Sequence, residues 1–262
     1  MEDYFISDGL RLRYLDVGDE SKGDPVILVH GLGERIEGWK FQIEEFSKHF
    51  RVLALDLRGF GESEIPAEFI GAEDFARDIF NLMEHAEIKQ AHLLGLSMGG
   101  IACLAFYKLY PEKVKSFILA DTTAYFPEEF QGALAERLRL MDEIGMEGIA
   151  AAIAELSIHK DDPELKKLVR DIIAQNDLNF YRKVTVELAK ADYRDLLPRI
   201  NVPTLVIVGE FDVTTPPELS RYLAEKIPGA ELKIVANSAH LAKLENPEEF
   251  NTYILDFLKR VA

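Results

Sequence analysis

Short apolar runs that stop abruptly at a glycine or an acid recur along this chain. They are "PVILVHG" (25–31), "VLALDLRGFGES" (52–63), "QAHLLGLS" (90–97), "VKSFILAD" (114–121) and "PTLVIVGEFD" (203–212). Each has the length of a strand covered on both faces. Between them lie stretches of helical spacing. "AEDFARDIFNLMEHAEI" (72–88) places Phe75, Ile79, Leu82 and Met83 on one side of a helix. "GGIACLAFYKLYPEKV" (99–114) reads as a helix stopped by Pro111. "LRLRYLDVG" (10–18) alternates apolar and polar residues, as a half-exposed strand does. Strands alternating with helices pair in parallel through right-handed crossovers, so the expected fold is α/β, a mostly parallel sheet flanked by helices.

The alternation stops at about Thr122. From there to about Ala191 the pattern is helical in four pieces, near 127–144, 146–157, 162–175 and 178–190, the third opening on the capping pair Asp162-Pro163. It then resumes with "PTLVIVGEFD", a helix over 216–227, "AELKIVANSAH" (230–240) and a last helix over 247–260, with Pro247 in its first turn. The expected organisation is one core made of 1–121 and 192–262, interrupted by a helical insertion over 122–191. A chain of 262 residues is long enough for one such core.

The formal net charge of −16 disfavours nucleic acid as a partner and makes any anionic substrate depend on a local basic group. No apolar run reaches the ~18 residues of a membrane span. The acidic start "MEDYFISDGLRLRY" lacks a signal core, and the one cysteine, Cys103, precludes an internal disulfide. Together these suggest a cytoplasmic protein. Cys103 reads as buried packing, and no Cys/His cluster suggests a metal.

"GLSMGG" (95–100) fits G-x-S-x-G, with an apolar strand before the serine and a helix after it. Such a turn lifts the hydroxyl of Ser97 above the sheet edge, and Gly95 and Gly99 supply the room it needs. The helix start offers free N–H groups and a partial positive charge to a developing oxyanion. A serine hydroxyl needs a base. Of six histidines, His240 stands in a loop after a strand, where the carboxyl edge of the sheet is expected. His49 and His85 read as surface residues, His92 as core, His159 as part of the insertion and His30 as structural. The base in turn needs a carboxylate. Asp212 follows the strand "PTLVIVG" and is the first candidate, Asp121 the second, while Glu210 reads as a local cap or ion-pair partner. "HGLGE" (30–34) follows the strand "PVILV" and bends tightly enough to offer the N–H of Leu32 beside that of Met98.

Taken together, "HGLG" with Trp39 behind it, "DLRGFGES", "GLSMGG", "VPTLVIVGEFDVTTPP" and "NSAHLAKLENPEEF" resemble the α/β-hydrolase superfamily in order and over most of the chain. The later segments, with "YRDLLPRI", look like esterases and enol-lactonases of the 3-oxoadipate enol-lactonase type. The resemblance implies an α/β-hydrolase fold with a helical cap at 122–191 and no cofactor. It also implies a nucleophile at Ser97, an acid at Asp212, a base at His240 and oxyanion donors at Leu32 and Met98. Asp56 and Arg58 match a structural loop.

The expected substrate is a small-molecule ester, with an enol-lactone or a carbon–carbon bond as alternatives and a ligand receptor as the non-enzymatic one. Trp39, Phe126, Phe130, Met141 and Ile153 are candidates for the pocket wall, as are Ile144, Met146 and Phe180. A lactone carrying a carboxylate needs a basic partner, for which Arg137, Arg139, Arg182 and Lys183 are available.

Overall fold

The computed structural model describes residues 2–19, 21 and 23–261, apart from the side chains of Glu2, Glu129, Phe130, Gln131 and Ala133. Its strands are β1 (Glu2–Ser7), β2 (Leu10–Val17), β3 (Val26–Val29), β4 (Val52–Leu55), β5 (Ala91–Leu96), β6 (Val114–Ala120), β7 (Thr204–Gly209) and β8 (Glu231–Val235). They form one sheet in the order β1-β2-β4-β3-β5-β6-β7-β8. β1 and β2 are an antiparallel hairpin, β2 pairs antiparallel with β4, and every other pairing is parallel. Sequence alternation does not reveal β1, because Ile6 points outward and Ser7 inward. The buried Ser7 hydroxyl is satisfied by donating to Asp78 at 2.7 Å.

The apolar runs supply both faces of the sheet, as their length requires. Ile27, Leu53 and Leu93 face α2 (Ala72–His85), α3 (Met98–Leu109) and α7 (Pro217–Lys226). Val26, Leu28, Val52, Leu94 and Ile207 face α1 (Lys40–Phe46) and α9 (Pro247–Val261). Between β6 and β7 run α4 (Glu128–Ser157), α5 (Pro163–Ile173) and α6 (Leu178–Leu188). The two helical pieces expected at 127–144 and 146–157 are the arms of α4, kinked at Gly145 where φ is 62°. Asp162 caps α5 by accepting from Leu165 N–H at 2.9 Å, and Asp177 caps α6 through Phe180 N–H at 2.8 Å. An isolated bridge between Tyr125 and Asp192 brings the ends of this helical segment together. Among the described residues, no helix is long and apolar enough to cross a membrane.

The order β4-β3-β5 fixes where a site can form. The chain leaves β3 toward one side and returns to it on the other, so the loops after β3 and β5 part from neighbouring strands and leave a crevice at their carboxyl ends. α3 starts in that crevice, very near β3. A Cβ on Gly99 would lie 2.1 Å from the Val29 carbonyl oxygen, a backbone atom that cannot step aside. Gly99→Ala is therefore expected to destabilise the fold by about 1–3 kcal/mol. Urea unfolding measures this as a lowered midpoint; an unchanged midpoint contradicts so close a contact.

Candidate active site

Ser97 stands alone between β5 and α3, with φ 52° and ψ −116°. Left-handed backbone of this kind costs a non-glycine residue about 1–3 kcal/mol, and persists only where its surroundings hold it. Here Ser97 N–H donates to the Ala120 carbonyl at 2.9 Å, and the Ser97 carbonyl accepts from Thr122 Oγ1 at 2.6 Å and Gly100 N–H at 2.9 Å. Met98 opens α3, so its N–H is among those a helix leaves without an internal partner.

His240 lies in the loop between β8 and α8 (Ala242–Glu245), buried beside the carboxyl ends of the strands. Its Nδ1 is 2.8 Å from Asp212 Oδ2. Asp212 follows β7 and collects further hydrogen bonds from Thr214 N–H (2.7 Å), Thr215 N–H (3.0 Å) and Thr215 Oγ1 (2.8 Å). Burial alone pushes the Asp212 carboxyl up, but His240 and these donors outweigh it and hold it below its ordinary value. Burial likewise pushes His240 down, but the charge and hydrogen bond of Asp212, with lesser contributions from Asp121 and Glu34, outweigh it, so the imidazole is raised above its ordinary value. An ionised Asp212 requires His240 Nδ1 to carry the proton, which leaves Nε2 as the acceptor in the neutral ring.

Asp121 directly follows β6, with φ 45°, and makes a different use of its carboxyl group. Oδ1 accepts from Gly209 N–H at 2.8 Å, and Oδ2 is buried with no partner among the described residues. Burial, and then the nearby Asp212 charge, push its pKa well above the carboxylate range. Asp121 is therefore pushed toward its neutral form beside an Asp212 that is held toward its charged one. Asp121, Asp212 and His240 each present a donor atom within 4.8 Å of the others. Within this cluster both oxygens of Asp212 and Nδ1 of His240 are already engaged in hydrogen bonds.

The loop after β3 completes the group. His30 accepts from Leu57 N–H through Nε2 at 3.0 Å, so its proton is on Nδ1, which donates to the Gly31 carbonyl at 2.7 Å. Burial lowers its pKa and keeps it neutral. Ser97, His240, Leu32 and Met98 all border one cavity of about 390 Å³, roofed by α4, α5 and α6.

Residues 24–143 and 170–247 match the family described as the alpha/beta hydrolase fold. The chain belongs to the α/β-hydrolase superfamily. Among curated relatives, this α/β hydrolase is 29% identical to "3-oxoadipate enol-lactonase 2" of Acinetobacter baylyi, over 99% of this chain and 97% of that one. It is 27% identical to a "2-hydroxy-6-oxononadienedioate/2-hydroxy-6-oxononatrienedioate hydrolase" of Burkholderia vietnamiensis, over 97% and 94%. The solved structure of a thermophilic esterase from Thermogutta terrifontis, with malate bound, superposes with a TM-score of 0.89 at 32% identity, covering 100% of this chain and 99% of that one.

The cavity wall of this hydrolase differs in part from the sequence expectation. Phe126, Ile144 and Ile153 line it. Trp39 and Met141 do not: both are fully buried, Trp39 beneath Lys243 and Met141 in the core that also holds Tyr181 and Val184. Phe180 packs edge-on against Phe60 and Phe69 instead, and Met146 packs against the core. The side chain of Phe130 lies outside the described residues. An aromatic or sulfur side chain that suits a pocket suits a core equally, and only the tertiary arrangement separates the two. Of the basic candidates, only Arg137 borders the cavity; Arg139 pairs with Glu136 and Glu143, and Arg182 with Asp142.

The histidines other than 30 and 240 lie elsewhere. His49 and His85 are exposed, and His92 is buried against Ser116 with its pKa pushed down to about 4. His159 stacks on Phe211 instead of lining the cavity. Glu210 accepts from Asn237 N–H at 3.0 Å.

Thr215, Glu34 and Lys243 border the site's machinery without having been singled out in the sequence. The only available signal was position: Thr215 follows the acid by three residues, Lys243 follows the histidine by three, and Glu34 closes "HGLGE".

The His240 titration tests the Asp212 contact directly. Its NMR midpoint is expected above the usual ~6.5 in the wild type and clearly lower in Asp212→Asn, where only the weaker influence of Asp121 and Glu34 opposes burial. A midpoint that stays put in the variant contradicts the contact.

Proposed function

We propose that this α/β hydrolase cleaves carboxylic esters through an acyl-enzyme on Ser97. The observation that carries the reading is the Asp212–His240 hydrogen bond, which fixes the imidazole with an accepting Nε2 at the cavity that Ser97 also borders. Neutral His240 takes the Ser97 proton as the hydroxyl attacks the ester carbonyl. The N–H groups of Leu32 and Met98 stabilise the tetrahedral oxyanion. Imidazolium, stabilised by Asp212, returns the proton to the leaving alcohol, and water then releases the acid by the same route.

A second reading, hydrolysis of an enol-lactone that carries a carboxylate, is favoured by one observation. Arg137, whose side chain interacts with that of Tyr181, borders a largely apolar wall that also holds Glu34, in a chain whose net charge of −16 repels anions elsewhere. The curated relative named as an enol-lactonase is in keeping with it.

A fluorophosphonate probe is expected to label Ser97, and Ser97→Ala to abolish both labelling and turnover while remaining folded. Asp212→Asn is expected to cost up to about four decades in kcat, and Asp121→Asn only a few-fold. The reverse ranking overturns the assignment of the acid, and full activity in Ser97→Ala overturns the mechanism.

A panel of p-nitrophenyl esters from short to long, with an enol-lactone bearing a carboxylate, separates the two readings. Arg137→Ala is expected to lower kcat/KM about tenfold or more for the anionic substrate only. An equal effect on neutral esters removes the support for the second reading.

A further inference from the structure

Lys243 is fully buried on α8. Its Nζ donates to Glu34 Oε1 at 2.8 Å and to the Gly38 carbonyl, and lies 4.4 Å from the centre of the Trp39 ring. Glu34 is buried as well, and its second oxygen, Oε2, accepts from Gly31 N–H at 3.1 Å. Gly38 leaves the space in which the pair meets: a Cβ there would lie 2.9 Å from Glu34 Oε1 and 3.0 Å from Lys243 Nζ. Two buried charges so placed each depend on the other, because removing one strands its partner without water. The proton transfers at Ser97 use neither.

Their consequence falls on the peptide that joins Gly31 to Leu32. A trans peptide points its carbonyl and its N–H in opposite directions, so whatever fixes the Gly31 oxygen also aims the Leu32 N–H. That oxygen is held by His30 Nδ1–H at 2.7 Å and by Glu34 N–H at 3.1 Å. Glu34 thus grips residue 31 twice, at the carbonyl through its own backbone and at the N–H through its carboxylate. Gly31 borders the serine: a Cβ on it would lie 3.5 Å from Ser97 Cβ.

At the other end, α8 is tied to the loop of the base. Glu245 accepts from the N–H of Ala239, the residue before His240, at 2.5 Å, and from Lys160 N–H at 2.8 Å.

We propose that the buried Glu34–Lys243 pair is a positioning clamp that aims the Leu32 N–H at the oxyanion and locks the β3 loop to the loop carrying His240. The proposal rests on the esterase reading of Ser97. Neither residue touches the reacting atoms; both act through the backbone of residues 31 and 32. A clamp of this kind is spent on the transition state, because the oxyanion exists only there, so its loss lowers kcat and leaves KM nearly unchanged.

The test uses the full chain with Lys243→Met and with the double variant Glu34→Gln/Lys243→Met. The double variant keeps the side-chain volumes and leaves no charge buried alone, so it is the one expected to stay folded even where Lys243→Met does not. Hydrolysis of p-nitrophenyl butyrate by the folded double variant is expected to lose about 10- to 100-fold in kcat, with KM moving about twofold at most. Affinity for an alkyl trifluoromethyl ketone, whose Ser97 adduct carries the oxyanion, is expected to fall by the same factor as kcat. Wild-type kcat and ketone affinity in the folded double variant overturn the clamp alone, since Ser97 labelling in the same samples keeps the esterase reading standing. A wild-type protein that neither hydrolyses the ester nor binds the ketone takes down that reading and the clamp together.

Discussion

The first turn of α3 rests against the end of β3 at a separation that only a glycine permits, with the space for a Gly99 Cβ already filled by the Val29 carbonyl. Much at the carboxyl edge of the sheet follows from that contact. It forces the chain to turn within one residue after β5, and that residue is Ser97, in left-handed backbone. It sets the N-terminus of α3 beside the loop that leaves β3, so that Leu32 and Met98 border the same cavity. The strain at Ser97 is held by bonds to Ala120, Gly100 and Thr122, two of which belong to or follow the neighbouring β6. A turn this sharp is thus a property of three adjacent strands and one helix, not of its own six residues.

The buried charges around it follow one rule. Each persists where enough donors or an opposite charge replace water, and the group that lacks them is pushed toward its neutral form. Among the described residues, Asp212 accepts from four donors and is held below its ordinary pKa, whereas Asp121, a short distance away, accepts from one and has an orphaned oxygen. Two carboxylates side by side would repel strongly, so the difference in donors decides which of them carries the charge. The same rule places Glu34 and Lys243 together beneath the β3 loop.

Much of this was legible in the chain. Runs such as "PVILVHG" and "QAHLLGLS" carry strands because nothing in them offers a polar face, and β3 and β5 lie within them. Asp162-Pro163 marks a helix start by local geometry alone, and the structure has it, whereas the two pieces expected at 127–144 and 146–157 are one helix kinked at Gly145. β1 stayed hidden because its inward Ser7 is satisfied by Asp78, a residue 71 positions away. Trp39 and Met141 suited a pocket by side-chain type and went to the core, because a side chain's neighbours across the fold decide what it covers.

By itself, then, the sequence determined most of the elements and their alternation into a parallel α/β sheet, and it marked a serine set between glycines where a strand meets a helix, since each follows from residues adjacent along the chain. The tertiary structure alone decided that Asp212 and not Asp121 meets His240, that Arg137 and not its basic neighbours borders the cavity, and that Lys243 finds Glu34. Those outcomes depend on burial and on partners up to 209 residues apart, and desolvation gives a side chain its charge and its bond only once the fold has brought such partners together.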